Sequence, residues 1–377
     1  MGQKIDFVML SLEKNISFSE LCKRFNISRP TGYKWCTRYK QDGIEGLKEQ
    51  SCRPRRSPLK ICQKVEDIIV DLRKSDPEWG PKKIHRLLLE MQSEGSYSFS
   101  QIPAQSTIGS ILKRRGLINK EKSQIPHSWK RFEYDYPNEL WQMDYKGEFI
   151  MRNNHYCYPL TVTDDHSRFN LILQACDNQR YITVQEHLTT AFREYGMPEI
   201  ILCDNGSPWG LAGQNMQAEG QSITKLEKWM IRLNIKLIHG RPYHPQTQGK
   251  EERFHKTLKI ELLNYKSMKD FTHCQNEFDN WRIKYNHKRP HEAIAMDVPA
   301  KRYQVSNRRY PDKLPDFQIH SGDIARKVYD GGKISFKGKK YRVGRALEGD
   351  HVAIRPLDRN NTFEVYYFNK MIRKIYL

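Results

Sequence analysis

The spacing of apolar residues changes twice along the 377-residue chain. Up to about residue 118, apolar positions recur at intervals of three and four residues, which predicts helices. From about residue 138, short apolar runs alternate with helical patterns, which predicts an α/β domain. Beyond Leu314, apolar and polar residues alternate, as at Ile334 and Phe336 or Val352 and Ile354, which predicts strands. The chain is therefore expected to be multidomain, with a small all-β barrel at its end.

Two short helices joined by a turn are predicted near the N-terminus. Ser17 and Glu20 form a capping box, and Ser28 precedes Pro30 at the start of a helix that runs to about Tyr39. That helix would expose polar groups suited to base edges and phosphates, namely Arg29, Thr31, Lys34 and Arg38. We interpret this pattern as a helix-turn-helix that binds DNA. The alternative is a three-helix packing module whose polar face is only solvated.

A basic linker separates this region from a second helical set. Arg53, Arg55 and Arg56 stand between prolines, which exclude a helix interior. Such an arm could lie along phosphates or in a minor groove, or could simply be solvated. Helices are then expected at 65–73, 81–91 and 106–115. The last helix has a basic end, Lys113, Arg114 and Arg115, and predicts a second helix-turn-helix.

The middle of the chain predicts a five-stranded mixed sheet. The first strand is expected to end near Ile150, and four more are expected at 156–163, 169–176, about 200 and 236–239. Helices are expected at 182–195 and 223–233. The first three strands are consecutive and antiparallel. Asp164, Asp165 and Ser167 lie in the turn between two of them, where we expect turn and capping chemistry rather than metal binding.

Two aspartates end short apolar runs in this region. Asp144 closes Leu-Trp-Gln-Met, Asp204 closes Ile-Ile-Leu-Cys, and neither has a basic residue directly beside it. If the fold brings both of them to Glu252, cations are needed to hold three like charges together. A ligand set made only of oxygen atoms favours Mg²⁺ or Mn²⁺. Two such ions suit in-line phosphoryl transfer.

Glu252 lies in a helix that follows a turn-rich stretch ending at Gly249. Phe254, Leu258 and Leu262 form the apolar row of this helix. Glu252 falls on another face, with three possible phosphate-facing groups, His255, Lys256 and Lys259. The neighbouring Glu251 falls near the apolar row. We expect Glu252 to reach the metals and Glu251 to turn towards solvent at the positive end of the helix.

Four motifs occur in a fixed order across this region. They are Trp-Gln-Met-Asp at 141–144, Cys-Asp-Asn-Gly-Ser at 203–207, Pro-Tyr-His-Pro-Gln-Thr-Gln-Gly at 242–249 followed by Glu-Arg-Phe-His-Lys-Thr-Leu-Lys at 252–259, and Tyr-Asn-His-Lys-Arg-Pro-His at 285–291. Together they resemble the catalytic domain of DDE transposases in the retroviral integrase superfamily, in its bacterial insertion-sequence branch. The resemblance covers about residues 135–305. It implies a ribonuclease H-like fold whose catalytic and metal-binding acids are Asp144, Asp204 and Glu252.

The chain departs from the family pattern in two places. Forty-seven residues lie between Asp204 and Glu252, more than is usual in integrases, which suggests an inserted loop near 209–221. Glu251 stands where the family usually has an apolar or small residue. By the same resemblance, the motif at 285–291 should support the fold, and the C-terminal region should be an SH3-like barrel that contacts DNA or protein.

These expectations divide the chain into six segments. They are a helix-turn-helix domain at 1–50, a basic linker at 51–62, a second helix-turn-helix domain at 63–118, a linker at 119–137, the integrase catalytic core at 138–305 and a β-barrel at 315–377.

The charge of the chain points to a polyanionic partner. The formal net charge is +20, no apolar run approaches the roughly 18 residues of a membrane span, and the eight cysteines lack zinc-site spacing. We expect double-stranded DNA as partner, no membrane, and a cytoplasmic, nucleoid-associated protein. The resemblance implies binding to terminal inverted repeats, and joining two ends implies a homodimer or higher oligomer.

Three functions of different classes remain to be compared. The first is a transposase that cuts at element ends and joins the 3′ hydroxyls to target DNA. The second is a DNA-binding regulator with an inactive catalytic fold, against which the three intact acids argue. The third is a metal nuclease that only hydrolyses, against which the paired DNA-binding domains argue.

Overall fold

The computed structural model describes residues 2–49, 61–118, 133–206, 208–209, 223–240, 249–357 and 361–377. The chain forms two compact units, residues 1–60 and 61–377. Within the described segments, every helix is too short or too polar to cross a bilayer.

The first unit is a helix-turn-helix domain. Its helices are α1 (Gly2–Glu13), α2 (Phe18–Arg24) and α3 (Arg29–Asp42), followed by a 3₁₀ turn at Gly43–Leu47. The side chain of Ser17 accepts a hydrogen bond from the amide of Glu20, and that of Ser28 accepts one from the amide of Thr31. Both predicted caps are therefore present. The fully buried ring of Phe7 contacts the rings of Phe18, Phe25 and Trp35 and forms the centre of the core.

The second unit begins with another three-helix set. These helices are α4 (Gln63–Ser75), α5 (Pro81–Ser93) and α6 (Gln105–Arg114). Their buried faces carry the predicted apolar rows, with Ile69, Ile84, Leu88 and Ile108 fully buried. The predicted helices are therefore found, with ends that shift by one or two residues.

A mixed sheet forms the centre of the second unit. Its strands are β1 (Leu140–Tyr145), β2 (Phe149–Ile150), β3 (Tyr156–Asp164), β4 (Asn170–Cys176), β5 (Ile200–Cys203) and β6 (Lys236–His239). The main sheet runs in the order β4-β3-β1-β5-β6, and the short β2 pairs with the start of β3. β1 is antiparallel to β3 and parallel to β5. The predicted five-stranded mixed sheet is therefore confirmed.

The first predicted strand is wrong in its extent. It is not continuous to Ile150, because β1 ends at Tyr145 and residues 146–148 are irregular before β2 begins. The amide of Lys146 still bonds the carbonyl of Pro159, after which the pairing is interrupted.

Helices cover both faces of the sheet. They are α7 (Tyr181–Tyr195), α8 (Lys225–Arg232), α9 (Gly249–Leu258), a π-helical continuation of α9 at Lys259–Leu263, and α10 (Phe271–His287). α7 and α8 share one core with Trp141 and Met143 of β1. α9 and α10 share another, in which Phe254, Phe278 and Trp281 are buried. α10 thus turns its aromatic side chains into this second core.

The C-terminal region is all-β. After the short helix α11 (Pro299–Arg302) come β7 (Ile324–Lys327), β8 (Lys333–Phe336), β9 (Lys339–Arg342), β10 (His351–Pro356), β11 (Thr362–Tyr367) and β12 (Lys370–Tyr376). One antiparallel sheet has the order β12-β11-β10-β7, and β8 pairs with β9 as a hairpin. Both contribute to one apolar core. The strands are confirmed, but among the described residues their pairing does not close a barrel.

Candidate active site

Asp144 and Asp204 lie at the same end of two neighbouring parallel strands. β1 pairs with β5 with Leu140 opposite Ile200 and Gln142 opposite Leu202, so the register leads both aspartates to one edge of the sheet. Burial first, and then the negative charges of Asp204 and Glu252, raise the pKa of Asp144 to about 7. The three acids chosen from the sequence therefore act on one another electrostatically in the folded chain.

Backbone amides hold both aspartates. Asp144 Oδ1 accepts a hydrogen bond of 2.8 Å from the amide of Tyr145, and Asp204 Oδ1 accepts one of 2.9 Å from the amide of Gly206. A Cβ atom at Gly206 would stand 3.0 Å from Asp204 Oδ2. The glycine of the Cys-Asp-Asn-Gly motif therefore leaves room for the carboxylate.

The two adjacent glutamates of α9 lie in opposite environments. Glu252 is exposed, whereas Glu251 is fully buried against the sheet. Glu251 Oε2 accepts a hydrogen bond of 3.0 Å from the hydroxyl of Thr161, and Oε1 accepts one from Thr163. Burial raises the pKa of Glu251 to about 8, partly opposed by the bond from Thr163.

The expectation that Glu251 turns towards solvent is wrong. Glu251 occupies the apolar face of α9, where the two threonines of β3 are hydrogen-bond partners for its carboxyl group. With these partners the carboxyl group can be buried in its neutral, protonated form. A signal for this was present in the sequence. Thr161 and Thr163 alternate within an otherwise apolar strand, and alternate residues of a strand lie on one face. That face is the one that α9 covers.

His255 is the other residue of α9 whose placement differs from the prediction. Its Nε2 lies 2.8 Å from Thr161 Oγ1, and its Nδ1 lies 3.9 Å from Asp144 Oδ2. Burial, followed by the nearby charge of Lys146, lowers the pKa of His255 to about 3. His255 is thus a neutral, inward-facing ring rather than a phosphate-facing cation. Lys256 and Lys259 are exposed, as expected for groups that could contact phosphates.

The turn acids have the structural role expected of them. Asp164 accepts hydrogen bonds from the amides of Asn138, at 2.7 Å, and Ser167, at 2.8 Å. Asp165 is buried and accepts bonds from the side chain of Gln142 and from Lys250. These contacts join the strand ends to the start of α9.

Parts of two predicted features lie outside the described residues. They are residues 241–248 of the turn-rich stretch before Gly249 and residues 210–222 of the expected inserted loop. Trp209, at the start of that loop, is buried and stacks on Tyr145 with ring centroids 5.2 Å apart. It belongs to the core and not to the expected loop.

The motif at 285–291 makes structural contacts. The side-chain amide of Asn286 bonds both the amide and the carbonyl of Asn170 in β4, at 2.8 and 2.9 Å. Arg289 Nε donates to Glu261 Oε1 over 2.8 Å, and the ring of Tyr285 packs edge-on against Phe254 of α9. The motif therefore fastens α10 to the sheet and to the helix that carries Glu252.

The predicted DNA contacts differ in how accessible they are. Arg29 and Lys34 are exposed on α3, while Thr31 and Arg38 are half-buried. Arg29 also donates to the hydroxyl of Ser19 over 2.7 Å. Arg53, Arg55 and Arg56 lie outside the described residues.

At the end of α6, only part of the basic cluster faces solvent without an acid nearby. Arg114 Nη2 lies 2.6 Å from the buried Glu66 carboxylate, and Arg115 lies 3.6 Å from it. Lys113 is exposed. Any phosphate that contacts these two arginines would have to compete with the carboxylate of Glu66.

Asp144, Asp204 and Glu252 offer the oxygen ligands that a divalent metal needs, but they do not converge into a complete metal site. Among the described segments, no three carboxylate, imidazole or thiol groups already converge as a metal cluster. Burial is the main cause of the raised pKa of Asp144, and the negative charges of Asp204 and Glu252 add to it. A divalent cation would relieve that charge, and carboxylate oxygens are the ligands that Mg²⁺ and Mn²⁺ prefer.

A mixed sheet of this order, with two aspartates at parallel strand ends and a glutamate on the facing helix, defines a ribonuclease H-like integrase core. Integrase core domain families match residues 135–245 and 233–299. A helix-turn-helix domain family matches residues 3–57, and a homeodomain-like family matches residues 31–112. The C-terminal domain of IS481 family transposases matches residues 323–377.

Whole-chain relatives agree with these domains. The transposase of transposon Tn552 from Staphylococcus aureus is 24% identical over 97% of this chain and 80% of its own length. The 39.2 kDa protein of insertion element IS476 from Xanthomonas euvesicatoria is 23% identical over 71% of this chain and 74% of its own. The chain belongs to the DDE transposases of the integrase superfamily, in the insertion-sequence group, and is an enzyme of that class.

Solved structures give only distant matches. The catalytic core of HTLV-2 integrase in complex with magnesium has a TM-score of 0.34 and 15% identity, over 45% of this chain and 98% of its own. The simian T-cell lymphotropic virus intasome has a TM-score of 0.38 and 18% identity, over 78% of this chain and 99% of its own. Likenesses at this level add nothing to the assignment.

Proposed function

We propose that this transposase binds the terminal inverted repeats of an insertion sequence, cleaves DNA at the element ends and joins the freed 3′ hydroxyls to target DNA. The observation that carries the proposal is the electrostatic coupling of Asp144 to Asp204 and Glu252 at one edge of the sheet. A regulator with an inactive core would gain nothing from keeping three acids together, because their mutual repulsion destabilises the fold.

Asp144, Asp204 and Glu252 would hold Mg²⁺ or Mn²⁺, two ions in each active site. Two bound ions supply a lowered water pKa and a positive charge near the leaving oxygen. The backbone amides of Tyr145 and Gly206 fix the two aspartates before any ligand arrives. Glu252 remains exposed and can adjust to complete the ligand set.

The surrounding side chains place the DNA. Lys256 and Lys259 extend from the same helix as Glu252, and we assign them to phosphates of the bound strand. Lys259 also approaches Lys146, and burial together with this second ammonium lowers the pKa of Lys146. A phosphate between these lysines would relieve their repulsion. His255 is turned inward against Thr161, and burial lowers its pKa to about 3, so we assign it no role as a base.

Recognition of the element ends is assigned to the two helical domains. In the first, Arg29, Thr31, Lys34 and Arg38 of α3 would meet base edges and phosphates, with Arg53, Arg55 and Arg56 as a basic arm. In the second, Lys113, Arg114 and Arg115 would do so at the end of α6. We further assign this protein to a synaptic complex of two or more copies, because two ends must be joined. A nucleoid-associated, cytoplasmic location follows from this role.

The test is a strand-transfer assay with purified protein. A duplex carrying the inverted repeat that flanks the reading frame is incubated with Mg²⁺ and a supercoiled target plasmid. We expect a nick at the 3′ end of the repeat, followed by covalent joining to the plasmid. Hydrolysis of repeat and random duplex alike, without joining, would favour a nuclease. Repeat binding without any cleavage would favour a regulator.

A further inference from the structure

Three largely buried side chains form an ion-pair cluster between the second helical domain and the catalytic core. Lys83 of α5 lies 3.5 Å from Glu261, and Arg289 lies 2.8 Å from the same carboxylate oxygen. The side chain of Lys83 is only 14% exposed, that of Glu261 10% and that of Arg289 12%. We call these three residues the seam cluster. Charges held this far from water are rare unless they are paired.

A tryptophan packs beside this cluster. Trp79, which precedes α5, is 3% exposed. The ammonium of Lys83 lies 5.9 Å from the centre of its ring, and that of Lys284 on α10 lies 5.3 Å from it. Lys284 also pairs with Asp76, at the end of α4. The helical domain therefore holds the core through buried contacts as well as through surface ion pairs.

The position of Glu261 gives the seam cluster its significance. Glu261 lies in the π-helical segment Lys259–Leu263, which continues the helix that carries Glu252. Arg289 also lies over the ring of Tyr285, 5.6 Å from its centre, and Tyr285 packs against Phe254, two residues from Glu252. π-helical turns are rare and interrupt the regular α-helical pattern, so contacts from outside the helix can set the direction of this segment. The seam cluster supplies such contacts.

We propose that the second helical domain braces the catalytic helix, and that Lys83 and Glu261 are positioning residues for Glu252. A buried ion pair contributes little net stability but fixes geometry, because any other arrangement leaves a charge buried and unpaired. Seating of this DNA-binding domain on the core is thereby coupled to the placement of the third acid. The effect on strand transfer rests on the proposed function, whereas the structural support of the catalytic helix by the second helical domain does not.

The test compares two glutamates that face the same helical domain. Glu261→Gln leaves Lys83 and Arg289 close together without their shared acid. Glu292→Gln is the matched control, because Glu292 also lies 3.5 Å from a lysine of α5, Lys82, but the two side chains are 63% and 58% exposed. Hydrogen exchange of the amides at 249–263 is followed in the full-length protein, together with single-turnover strand transfer at saturating repeat DNA.

We expect Glu261→Gln to speed exchange at 249–263 and to lower the strand-transfer rate at least about tenfold, because misplaced catalytic groups lose rate steeply. Repeat binding should stay near the wild-type level, so the loss appears in the single-turnover rate constant and not in the DNA concentration needed for saturation. Adding Lys83→Met to Glu261→Gln removes one of the two repelling cations and should restore part of both losses. Two independent structural defects would add instead of compensating.

The outcomes separate this proposal from the proposed function. Glu261→Gln that behaves like Glu292→Gln, or a double variant that is worse than Glu261→Gln, overturns the brace. If Glu261→Gln does not fold, Lys83→Met alone decides, since it should loosen the amides at 249–263 while Lys82→Met does not. A wild-type protein that exchanges as expected but joins no DNA contradicts the proposed function and leaves the brace standing.

Discussion

The two adjacent glutamates at the third acid position, Glu251 and Glu252, differ in exposure and in hydrogen bonding. Both lie within electrostatic reach of Asp144, but Glu252 is exposed, whereas Glu251 is buried and bonded to the threonines of β3. A helix places consecutive side chains about 100° apart, so only one of the two can face the sheet edge. The environment, and not the residue type, therefore separates their roles.

We predict that Glu252→Gln lowers strand transfer by on the order of 10²-fold or more, as expected when a group that orders the reacting atoms is lost. Glu251→Gln keeps the shape and hydrogen bonds of the buried group and should retain most of the activity. Glu251→Val should also remain active, since the position lies in the apolar row. Assays of the three variants side by side decide. An active Glu252→Gln beside an inactive Glu251→Val would reverse the assignment.

The buried lysine of the seam cluster predicts a pH dependence of stability. Burial, and then the charge of Arg289, lower the pKa of Lys83 from 10.5 to about 8. The charged form therefore opposes folding below about pH 8, and this penalty is relieved as the pH rises from there towards 10.5. Wild type should gain stability relative to Lys83→Met between about pH 8 and 10.5, where the unfolded chain binds more protons than the folded one.

Urea unfolding of both proteins across that pH range measures the effect. The exposed neighbour provides the control, because Lys82→Met should show no comparable change relative to wild type. A difference between wild type and Lys83→Met that stays constant, or that moves against wild type as the pH rises, would contradict the desolvation of Lys83.

At the scale of elements, the close packing of the first unit depends on a glycine within α3. A Cβ atom at Gly32 would lie 2.8 Å from Phe7 Cζ and 3.0 Å from both Cys22 Sγ and Phe18 Cζ. We predict that Gly32→Ala destabilises this unit by about 1–3 kcal/mol, the usual cost of overpacking. Gly109→Ala in α6 is the control. The nearest atom to its Cβ would be Pro81 Cγ at 3.6 Å, so alanine should stabilise by about 0.5–1 kcal/mol.

Differential scanning calorimetry of the two alanine variants tests this contrast. The transition of the first unit should fall with Gly32→Ala, and that of the second should hold or rise with Gly109→Ala. Equal effects of the two substitutions would mean that α3 is not packed against α1 and α2 as closely as the Phe7 contacts require.

Most elements of the fold could be predicted because local patterns determine them. The caps of Ser17 and Ser28 follow from short-range hydrogen bonding, and the strand-end positions of Asp144 and Asp204 follow from apolar runs that stop at an acid. Features that depend on what another element offers could not be predicted. The burial of Glu251 requires the threonines of β3, and the pairing of Arg114 requires Glu66 of α4. Helical-wheel geometry predicts the direction of a side chain but not which residue of another element it will contact.

At the scale of the whole molecule, the net charge of +20 determines how the protein meets DNA. Affinity for the repeat should fall steeply with salt, on the order of a hundredfold between about 50 and 200 mM, because bound lysines and arginines release counterions. Lys34→Gln, which removes one exposed charge from α3, should reduce the salt slope by about one. Fluorescence anisotropy with repeat and random duplexes measures both. Equal affinity for the two duplexes would contradict sequence recognition by the helical domains.

If one metal-dependent acid cluster both cuts and joins DNA, Asp204→Asn should abolish both reactions. The measurement is cleavage and strand transfer of repeat DNA in Mg²⁺, with repeat binding followed in parallel. Asp312→Asn, the same change at an exposed aspartate, is the control. We expect Asp204→Asn to bind the repeat like wild type and to perform neither step, while Asp312→Asn performs both. Strand transfer by Asp204→Asn at near the wild-type rate would contradict this expectation.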